Sequence, residues 1–341
     1  HKEDYKMLRK TDKPKRVQYL VRKCVLAALL TGMLMPMTGS GNRQKIQAAD
    51  LLDQILVKAP DEKVSDFVIS ASTIDSVTLT WKKASDAGTY YISYWESGKP
   101  STSVDREDLG NVSECKITNL KQTKYIFQIQ PANKLHTGIP LKGAIASVEG
   151  APAAAIPSEV KLNHIKPGYC SLAVGGLGDI YKSEAEIYEA SGNLLESSEG
   201  DNAGIAIEDA GIKNNGFYAV RVRGYYDQAG GYRSYGDWTD YVYVSTALKS
   251  VKLSQKNGKA VVKWPAVQGT DKYIVYISKN ASSGFKKAAE TANTSMSVGK
   301  YGGAKLKAGK TYYIKVIAQM TRENETYTVS SAASKIKMKS R

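Results

Sequence analysis

Apolar and polar residues alternate with a period of two along most of the chain after residue 57. In "SVTLTW" (76–81) every second residue is apolar, and "AVVKW" (260–264) ends in the same way on Val262 and Trp264. Strict alternation indicates strands with one buried face. Turn-forming sequences such as "DAG" and "KNGK" separate the runs at short intervals. The pattern therefore predicts many short antiparallel strands and no long helix.

The alternating pattern occurs three times, which indicates an internal repeat. In each copy a Leu or Ile precedes a strand that begins with Tyr: Leu120 and Tyr125, Ile212 and Tyr218, Leu306 and Tyr312. Each copy is about 95 residues long, the size of one small β-sandwich. We therefore predict three domains, at residues 58–150, 154–246 and 247–340.

These residues resemble the fibronectin type III family. The similarity consists of a Trp on the second strand (Trp81, Trp264), a Tyr-x-hydrophobic third strand, and the Leu and Tyr described above. It implies three tandem immunoglobulin-like antiparallel β-sandwiches, in which that Leu and Tyr lock the corner between the fifth and sixth strands. The second copy departs from the pattern, because Val174 stands where the Trp is expected, and the first copy is one residue short between Leu120 and Tyr125.

The two joints between copies differ in composition. The first, "EGAPAAAIPSEV" (149–160), is rich in Pro and Ala, which predicts an extended, semi-rigid spacer. The second, "VYVSTALKSVKL" (242–253), contains no Pro or Gly. We expect the second and third domains to be more fixed relative to each other than the first and second.

Residues 1–49 have the order of a secretory signal peptide: a basic stretch, a short apolar run, and small residues ending at Ala49. The upstream "HKEDYK" precedes Met7, the expected start. The apolar run, 24–37, is shorter than the ~20 residues that span a bilayer. We expect a bacterial secreted or cell-surface protein without a transmembrane span after cleavage; an uncleaved N-terminal anchor is the alternative.

Three cysteines are present, and Cys24 would leave with the signal peptide. Cys115 and Cys170 occupy inward positions of strands in different predicted domains, so a bridge between them is not expected. We predict two buried free thiols that act as small hydrophobic residues.

The net charge of +15 raises the question of a polyanionic partner. Eleven of the 48 Lys and Arg residues lie in the first 49 residues, and the remaining excess is predicted to be spread without a cluster. This distribution argues against nucleic-acid binding. An anionic cell-wall polymer remains a candidate partner for a basic secreted protein.

The sequence contains no recognisable catalytic or cofactor motif. Its three His residues and its Cys residues have no neighbours at metal-ligand spacing. The acidic "DRED" segment (105–108) lacks the oxygen pattern of a calcium loop and is interpreted as a solvated loop. We predict a protein that is not an enzyme and that carries no metal and no cofactor.

One stretch, "YAVRVRGYYDQAGGYRSYGDWTDYVYV" (218–244), suggests a surface of its own. It reads as a hairpin of the sixth and seventh strands, with Arg221 and Arg223 pointing outward. The "YGDWTDY" segment resembles the Trp-centred motif of some fibronectin type III domains, notably in cytokine receptors, which implies that Trp238 stacks on both Arg residues. Either this is a stabilising ladder, or it is a sugar- or peptide-binding surface formed by Arg221, Arg223, Tyr225, Tyr226, Tyr232, Tyr235 and Trp238.

Three functions fit these observations. The first is a non-catalytic secreted or cell-surface binding or spacer protein whose partner is an unknown extracellular protein or glycan. The second is a carbohydrate-binding accessory protein for the attachment or degradation of extracellular polysaccharides, which requires exposed, coplanar aromatic rings. The third is a surface adhesin. A fold resemblance alone does not choose among them, and we favour the first.

Overall fold

The structure, a computed structural model, describes residues 57–106, 108–135, 137–249 and 251–340. The predicted signal peptide and Cys24 lie outside the described residues, as do Glu107 of the "DRED" segment and His136. Within the described residues the chain is all-β, with one 3-10 turn at Pro100–Thr102. None of the helical structure described here is long and apolar enough to cross a membrane.

The strands form three similar groups. The first contains β1 Ser65–Thr73, β2 Ser76–Lys82, β3 Thr89–Glu96, β4 Val104–Arg106, β5 Glu114–Ile117, β6 Tyr125–Lys134, β7 Pro140–Lys142 and β8 Ala146–Gly150. The second contains β9 Glu159–Lys166, β10 Tyr169–Gly175, β11 Lys182–Glu189, β12 Leu194–Gly200, β13 Gly204–Glu208, β14 Phe217–Asp227, β15 Arg233–Tyr235 and β16 Val242–Ser245. The third contains β17 Lys252–Lys256, β18 Lys259–Lys263, β19 Lys272–Ser278, β20 Lys286–Thr291, β21 Ser295–Val298, β22 Lys300–Tyr301, β23 Ala304–Lys305, β24 Thr311–Arg322, β25 Glu325–Ser330 and β26 Ser334–Lys337.

Each group forms a three-stranded and a five-stranded sheet. The three-stranded sheets have the orders β1-β2-β5, β9-β10-β13 and β17-β18-β21. The five-stranded sheets are β4-β3-β6-β7, β12-β11-β14-β15 and β20-β19-β24-β25, with β8, β16 and β26 paired to β6, β14 and β24. Two sheets of this kind packed on each other form an immunoglobulin-like sandwich. The predicted fold class, all-β with three antiparallel β-sandwiches, is confirmed.

The repeated Trp and Tyr form the same arrangement in the first and third sandwiches. Trp81 and Trp264 are both 5 % exposed, and each ring centroid lies 5.4 Å from that of a Tyr on the next strand, Tyr90 or Tyr273. Each of these Tyr hydroxyls accepts a backbone N–H from the connecting loop, at 3.0 Å and 2.7 Å. In both sandwiches the same aromatic pair fills the core and fixes the loop that joins its two strands, which accounts for the repeated sequence.

In the second sandwich the buried Val174 occupies the place of the Trp. Its core is built instead from aliphatic side chains on both sheets, including Leu172, Ile187, Ile205 and Val220. This core is separate from that of the third sandwich, which surrounds Trp264. The substitution is therefore accommodated by a different, more aliphatic packing.

The corner implied by the family resemblance is present in the second and third sandwiches. The buried Tyr218 hydroxyl accepts the backbone N–H of Lys213 at 2.8 Å, and the Tyr312 hydroxyl accepts that of Lys307 at 3.1 Å. Each bond joins a strand of the five-stranded sheet to the loop five residues upstream. The ring is buried while its polar end is satisfied, as this position requires.

The chain divides into two compact units. One contains residues 79–115 and 125–149 with the described chain up to Val68, and the other contains residues 69–78, 116–124 and everything from Gly150 on. The second and third sandwiches therefore lie in one unit, together with residues 69–78 and 116–124 of the first.

The joint between these two sandwiches is packed and hydrogen-bonded. Phe217, the first residue of β14, is 1 % exposed and belongs to the core cluster of the third sandwich. Its N–H donates to the carbonyl of Gln268 at 3.0 Å, beside a parallel bridge between Gly216 and Gln268. The rings of Tyr243 and Tyr327 add a contact of 4.8 Å between centroids.

The linker after β8 is held by side-chain amides. Gln228 donates to the carbonyl of Ala151 at 2.6 Å and accepts its N–H at 3.1 Å. Gln122 bonds the backbone of Ala153 and Ala155, each at 3.0 Å. Together with the Ala153 N–H, which donates to the Thr73 carbonyl of β1 at 2.9 Å, these bonds satisfy backbone groups of an extended segment.

The two described cysteines differ in burial. Cys170 is fully buried in β10, and burial raises the pKa of its thiol to about 11. Cys115 is only half-buried in β5, so the prediction that both thiols are buried is wrong for Cys115. Burial raises the pKa of the Cys115 thiol as well. Neither thiol is a reactive thiolate at neutral pH.

The positive charge is not evenly spread, contrary to the expectation from the sequence. Residues 247–340 contain 18 Lys and Arg against four acids, a net charge of +14, whereas residues 154–246 contain seven against 13, a net charge of −6. The net positive charge after residue 49 is small only because the negative charge of the second domain offsets much of the positive charge of the third. The third sandwich is therefore a strongly basic domain.

Candidate ligand-binding surface

The outer face of β14 carries the two arginines singled out by the sequence. Tyr218, Val220 and Val222 alternate inward and are buried at 1 %, 0 % and 0 % exposure. Arg221 and Arg223 consequently point outward on the five-stranded sheet, about 6.6–6.8 Å apart along the strand. That spacing admits one aromatic ring between two guanidinium groups.

The neighbouring strand β11 supplies a carboxylate opposite each arginine. In the register of the sheet Glu186 lies across from Arg221 and Glu184 across from Arg223. The Arg221 Nη2 lies 2.6 Å from Glu186 Oε2, and the Arg223 Nε lies 2.7 Å from Glu184 Oε2. These four side chains are less than a third exposed, so the pairs are stronger than fully solvated ones.

Trp238 lies in a non-strand segment between β15 and β16 that is fastened to β14. The Gly236 N–H donates to the Gly224 carbonyl at 2.9 Å, and the Thr239 N–H donates to the Val222 carbonyl at 2.9 Å. The Thr239 hydroxyl accepts the Val222 N–H at 3.1 Å. A Cβ at Gly236 would lie 2.3 Å from the carbonyl oxygen of Ala154, so only glycine fits there.

Rings and guanidinium groups alternate across this face. The Trp238 ring centroid is 4.5 Å from the Arg221 Cζ and 4.4 Å from the Arg223 Cζ. Tyr235 lies 3.7 Å from Arg223, and Tyr241 lies 5.6 Å from Arg221. The predicted stacking of Trp238 on both arginines is therefore present.

The alternation continues past Tyr235. The Arg233 Cζ lies 4.1 Å from the ring of Tyr225 and 6.0 Å from that of Tyr235. Arg233 also pairs with Glu199 at 2.5 Å and with Asp227 at 2.6 Å. We call the series Tyr241, Arg221, Trp238, Arg223, Tyr235, Arg233 and Tyr225 the ring–guanidinium ladder.

Burial and hydrogen bonds shift the pKa values of acidic groups beside the ladder. Burial, together with the hydrogen bond from its hydroxyl to Glu186, raises the pKa of Tyr188 to about 12. Hydrogen bonds from Tyr225 and Arg233 lower the pKa of Glu199. Burial of Asp227 opposes ionisation, but its bonds to Arg233 and Lys182 outweigh that effect and lower its pKa. At neutral pH the carboxylates are thus charged and the phenols neutral.

The structure separates the aromatic residues that the sequence grouped. Tyr235 and Trp238 lie in the ladder, and Tyr235 is 40 % exposed. Tyr225 is 1 % exposed and donates its hydroxyl to Glu199 at 2.6 Å, so the expectation of an exposed ring is wrong there. Tyr226 is half-buried and faces the ring of Tyr181, 6.1 Å away. Tyr232 is half-buried, and its ring makes no aromatic or cation–π contact within the described part of the chain.

Sequence reasoning missed two members of the ladder, Arg233 and Tyr241, and the residues of β11 that lie beside it. Tyr188, Glu184 and Glu186 belong to "EAEIYE" (184–189), whose alternation already marks its acids as outward-facing. Outward acids on one strand and outward "RVR" arginines on another are a detectable signal for a charged cross-strand ladder. Arg233 and Tyr241 gave no comparable signal, since their segment is irregular.

The ladder is electrically compensated. Each arginine is paired with a carboxylate, and the described residues contain no group of three or more His, Cys, Asp or Glu that could hold a metal ion. Both guanidinium groups lie within 4.5 Å of the Trp238 ring centroid. Tyr235 and Tyr241 are the ladder rings most exposed to solvent, at 40 % and 37 %.

Similarity to known proteins is found among solved structures. No protein-family model matches the chain, and no curated protein matches it. Among solved structures it is similar to a two-domain fibronectin type III segment of chicken tenascin, at 12 % identity over 54 % of this chain and 100 % of that one, with a TM-score of 0.30. It is also similar to the FN1–FN3 domains of chicken CNTN1, at 14 % identity over 83 % of this chain and 100 % of that one, with a TM-score of 0.25.

Proposed function

We propose that this multidomain protein is a non-catalytic secreted or cell-surface scaffold that binds an extracellular protein or glycan. Its modules are those predicted from the sequence: 58–150, 154–246 and 247–340. The observation that carries the proposal is the packed joint between the second and third modules. A side chain of one module in the core cluster of the next keeps their surfaces at a fixed spacing, which lowers the entropic cost of binding one partner at both.

Within this scaffold we propose that the ladder chiefly stiffens the second module. Its arginines are neutralised by Glu184, Glu186 and Glu199, and its stacked contacts fix the irregular segment around Trp238 to β14. Ligand contact is assigned to the two exposed rings of the ladder, Tyr235 and Tyr241. The carbohydrate-accessory alternative requires exposed, coplanar aromatic rings, and the buried Tyr225 does not supply one.

Two measurements test the proposal. Cell fractionation of the producing organism should place the chain outside the cytoplasm, and an array of uncharged glycans and surface proteins probed with the purified chain should give a signal that survives high salt. A purely cytoplasmic chain, or an array signal that vanishes entirely with salt, would contradict it.

The joint itself is tested with Phe217→Ala. We expect separate melting of the second and third modules and weaker capture of any ligand that touches both. The control is Phe285→Ala, a half-buried residue of the third module outside its core cluster. Coupled melting that persists in Phe217→Ala would show that the modules do not depend on this contact.

A further inference from the structure

Four lysines lie in two directly opposed pairs on the three-stranded sheet of the third sandwich. In the antiparallel register of β17 and β18, Lys252 is opposite Lys263, and Lys256 is opposite Lys259. All four are exposed, and their positions alternate with the inward residues Leu253, Val262 and Ala260. They therefore share the outer face of this sheet, which we call the lysine face.

Like charges opposite one another on neighbouring strands destabilise a sheet. Within the described residues none of the four lysines forms an ion pair, and β17, β18 and β21 contain no acid. The four acids of this sandwich, Asp271, Glu290, Glu323 and Glu325, all lie on or beside strands of the other sheet. Two uncompensated repulsive pairs on one face are a stability cost that a bound anion would remove.

The geometry of the lysine face selects the kind of anion. Lys252 and Lys256 are four residues apart, ~13 Å along the strand, and the two strands are ~4.8 Å apart. No small anion reaches all four ammonium groups at once. A linear polymer with a negative charge on every repeat does, and each lysine acts as a point charge without the bidentate geometry of arginine.

The positive surface continues from Lys259 into a cleft. This cleft has a volume of about 600 Å³ and lies between the β17–β18 turn, β21 and the β22–β23 hairpin. Three further exposed lysines, Lys300, Lys305 and Lys339, line it, and no acid does. An anionic polymer that extends beyond the sheet face into this cleft therefore meets further positive charge and no acidic side chain.

The lysine face lacks the features of a nucleic-acid surface. Proteins that hold single strands add aromatic rings on which the bases stack. The outward positions between the lysines are instead Ser254 and Val261, with Ser295 and Ser297 on β21. Hydroxyl groups and ammonium groups suit a polymer that offers charges and hydroxyls but no bases.

We propose that the third sandwich binds a linear, base-free anionic polymer of the cell envelope across the lysine face and into the adjoining cleft. The assignment of the polymer to the cell envelope rests on the proposed extracellular function. The prediction that the lysine face binds a linear polyanion does not depend on that function. Polymer binding by the purified chain is independent of where the cell places it. A failed fractionation result and a failed binding result are therefore distinguishable.

The test is a titration of the purified chain into fluorescently labelled poly(glycerol phosphate), repeated over a range of salt concentrations. The variant Lys252→Gln/Lys263→Gln removes one opposed pair. We expect its affinity to fall by about tenfold at low salt, and the slope of log affinity against log salt to decrease by about 1.4–1.8, since each phosphate contact contributes ~0.7–0.9. The matched control, Lys161→Gln/Lys166→Gln, removes the same charge from β9 of the second sandwich and should change the affinity by less than about twofold.

A charge reversal separates binding from folding. Lys263→Glu places a carboxylate opposite Lys252, so we expect the melting temperature to stay constant or rise while polymer affinity falls. A melting temperature that falls in parallel with affinity would overturn the inference, because the face would then be structural.

Four other outcomes would also overturn it. One is an equal loss of affinity in the β9 control, which would reduce the effect to net charge. The second is competition by glycerol phosphate monomer at the same phosphate concentration. The others are tighter binding of a single-stranded oligonucleotide with the same number of phosphates, or tighter binding of phosphatidylglycerol vesicles, which would assign the face to nucleic acid or to a bilayer.

Discussion

In the second sandwich every arginine of the ladder lies against a carboxylate, whereas in the third sandwich four lysines lie opposite one another on neighbouring strands. Both domains have the same strand order and the same Tyr corner. Their interiors fix the fold, and their outer faces are free to differ. The second sandwich uses its charged residues for stability, and the third leaves them available to a ligand.

The difference extends to the interiors. Trp264 fills the centre of the third core, while Val174 holds the same place in the second. We expect Trp264→Ala to lower the free energy of unfolding of the third domain by ~3–5 kcal/mol, because it removes the largest core side chain and leaves a cavity. Chemical denaturation measures this.

The paired variant Val174→Ala should cost only about 2 kcal/mol, as fewer buried atoms are lost. Similar losses in both variants would show that the aromatic pair is not the centre of the third core.

The ladder is tested by Trp238→Ala. It removes two cation–π contacts, so we expect the second domain to lose about 1–3 kcal/mol, as measured by its urea midpoint. Tyr232→Ala, which removes a half-buried ring outside the ladder, is the control and should change the midpoint little. Loss of ligand capture with an unchanged midpoint would instead identify Trp238 as a binding residue.

Acid should weaken the second domain more than the third. The pKa of Glu199 is lowered in the folded state by Tyr225 and Arg233, so its contribution is present above the ordinary value of 4.5 and is lost as the pH falls below it. Because Glu199 is half-exposed, we expect less than about 1 kcal/mol, read from denaturant midpoints at pH 7 and pH 3.

Tyr225→Phe removes the first of these two hydrogen bonds and should reduce that pH dependence. An unchanged dependence in this variant would show that other carboxylates dominate the acid response.

The smallest effect is expected at the lysine face. Lys263→Glu replaces a repulsive cross-strand pair with an attractive one and should raise the free energy of unfolding by ~0.2–1 kcal/mol at low salt. The gain should shrink as salt is added, because the pair is exposed. Lys161→Glu, on a lysine already paired with Glu159, should be destabilising instead. If both variants changed the free energy of unfolding in the same direction, the contrast between the two domains would be lost.

Several features could be predicted from residue order alone. The alternation of Val77, Leu79 and Trp81 sets which side chains are buried, since period two is a property of the strand itself. The Tyr corner follows from a spacing of a few residues, as does the outward direction of Arg221 and Arg223. These are local relations, and the structure agrees with them.

Other features depend on which strands become neighbours, and local sequence does not contain that information. Tyr225 belongs to an apparently exposed aromatic group, but it is buried because Glu199 and Arg233 arrive from other strands. The sequence shows that the third domain is rich in lysine, but only the register of β17 and β18 sets Lys252 opposite Lys263.

The sequence by itself determined that this chain forms strands, which residues of each strand face inward, and that the pattern occurs three times. Only the tertiary structure decided which charges meet, because cross-strand partners are set by pairing between segments far apart in sequence. That pairing made one sandwich self-compensated and left the next with an open positive face.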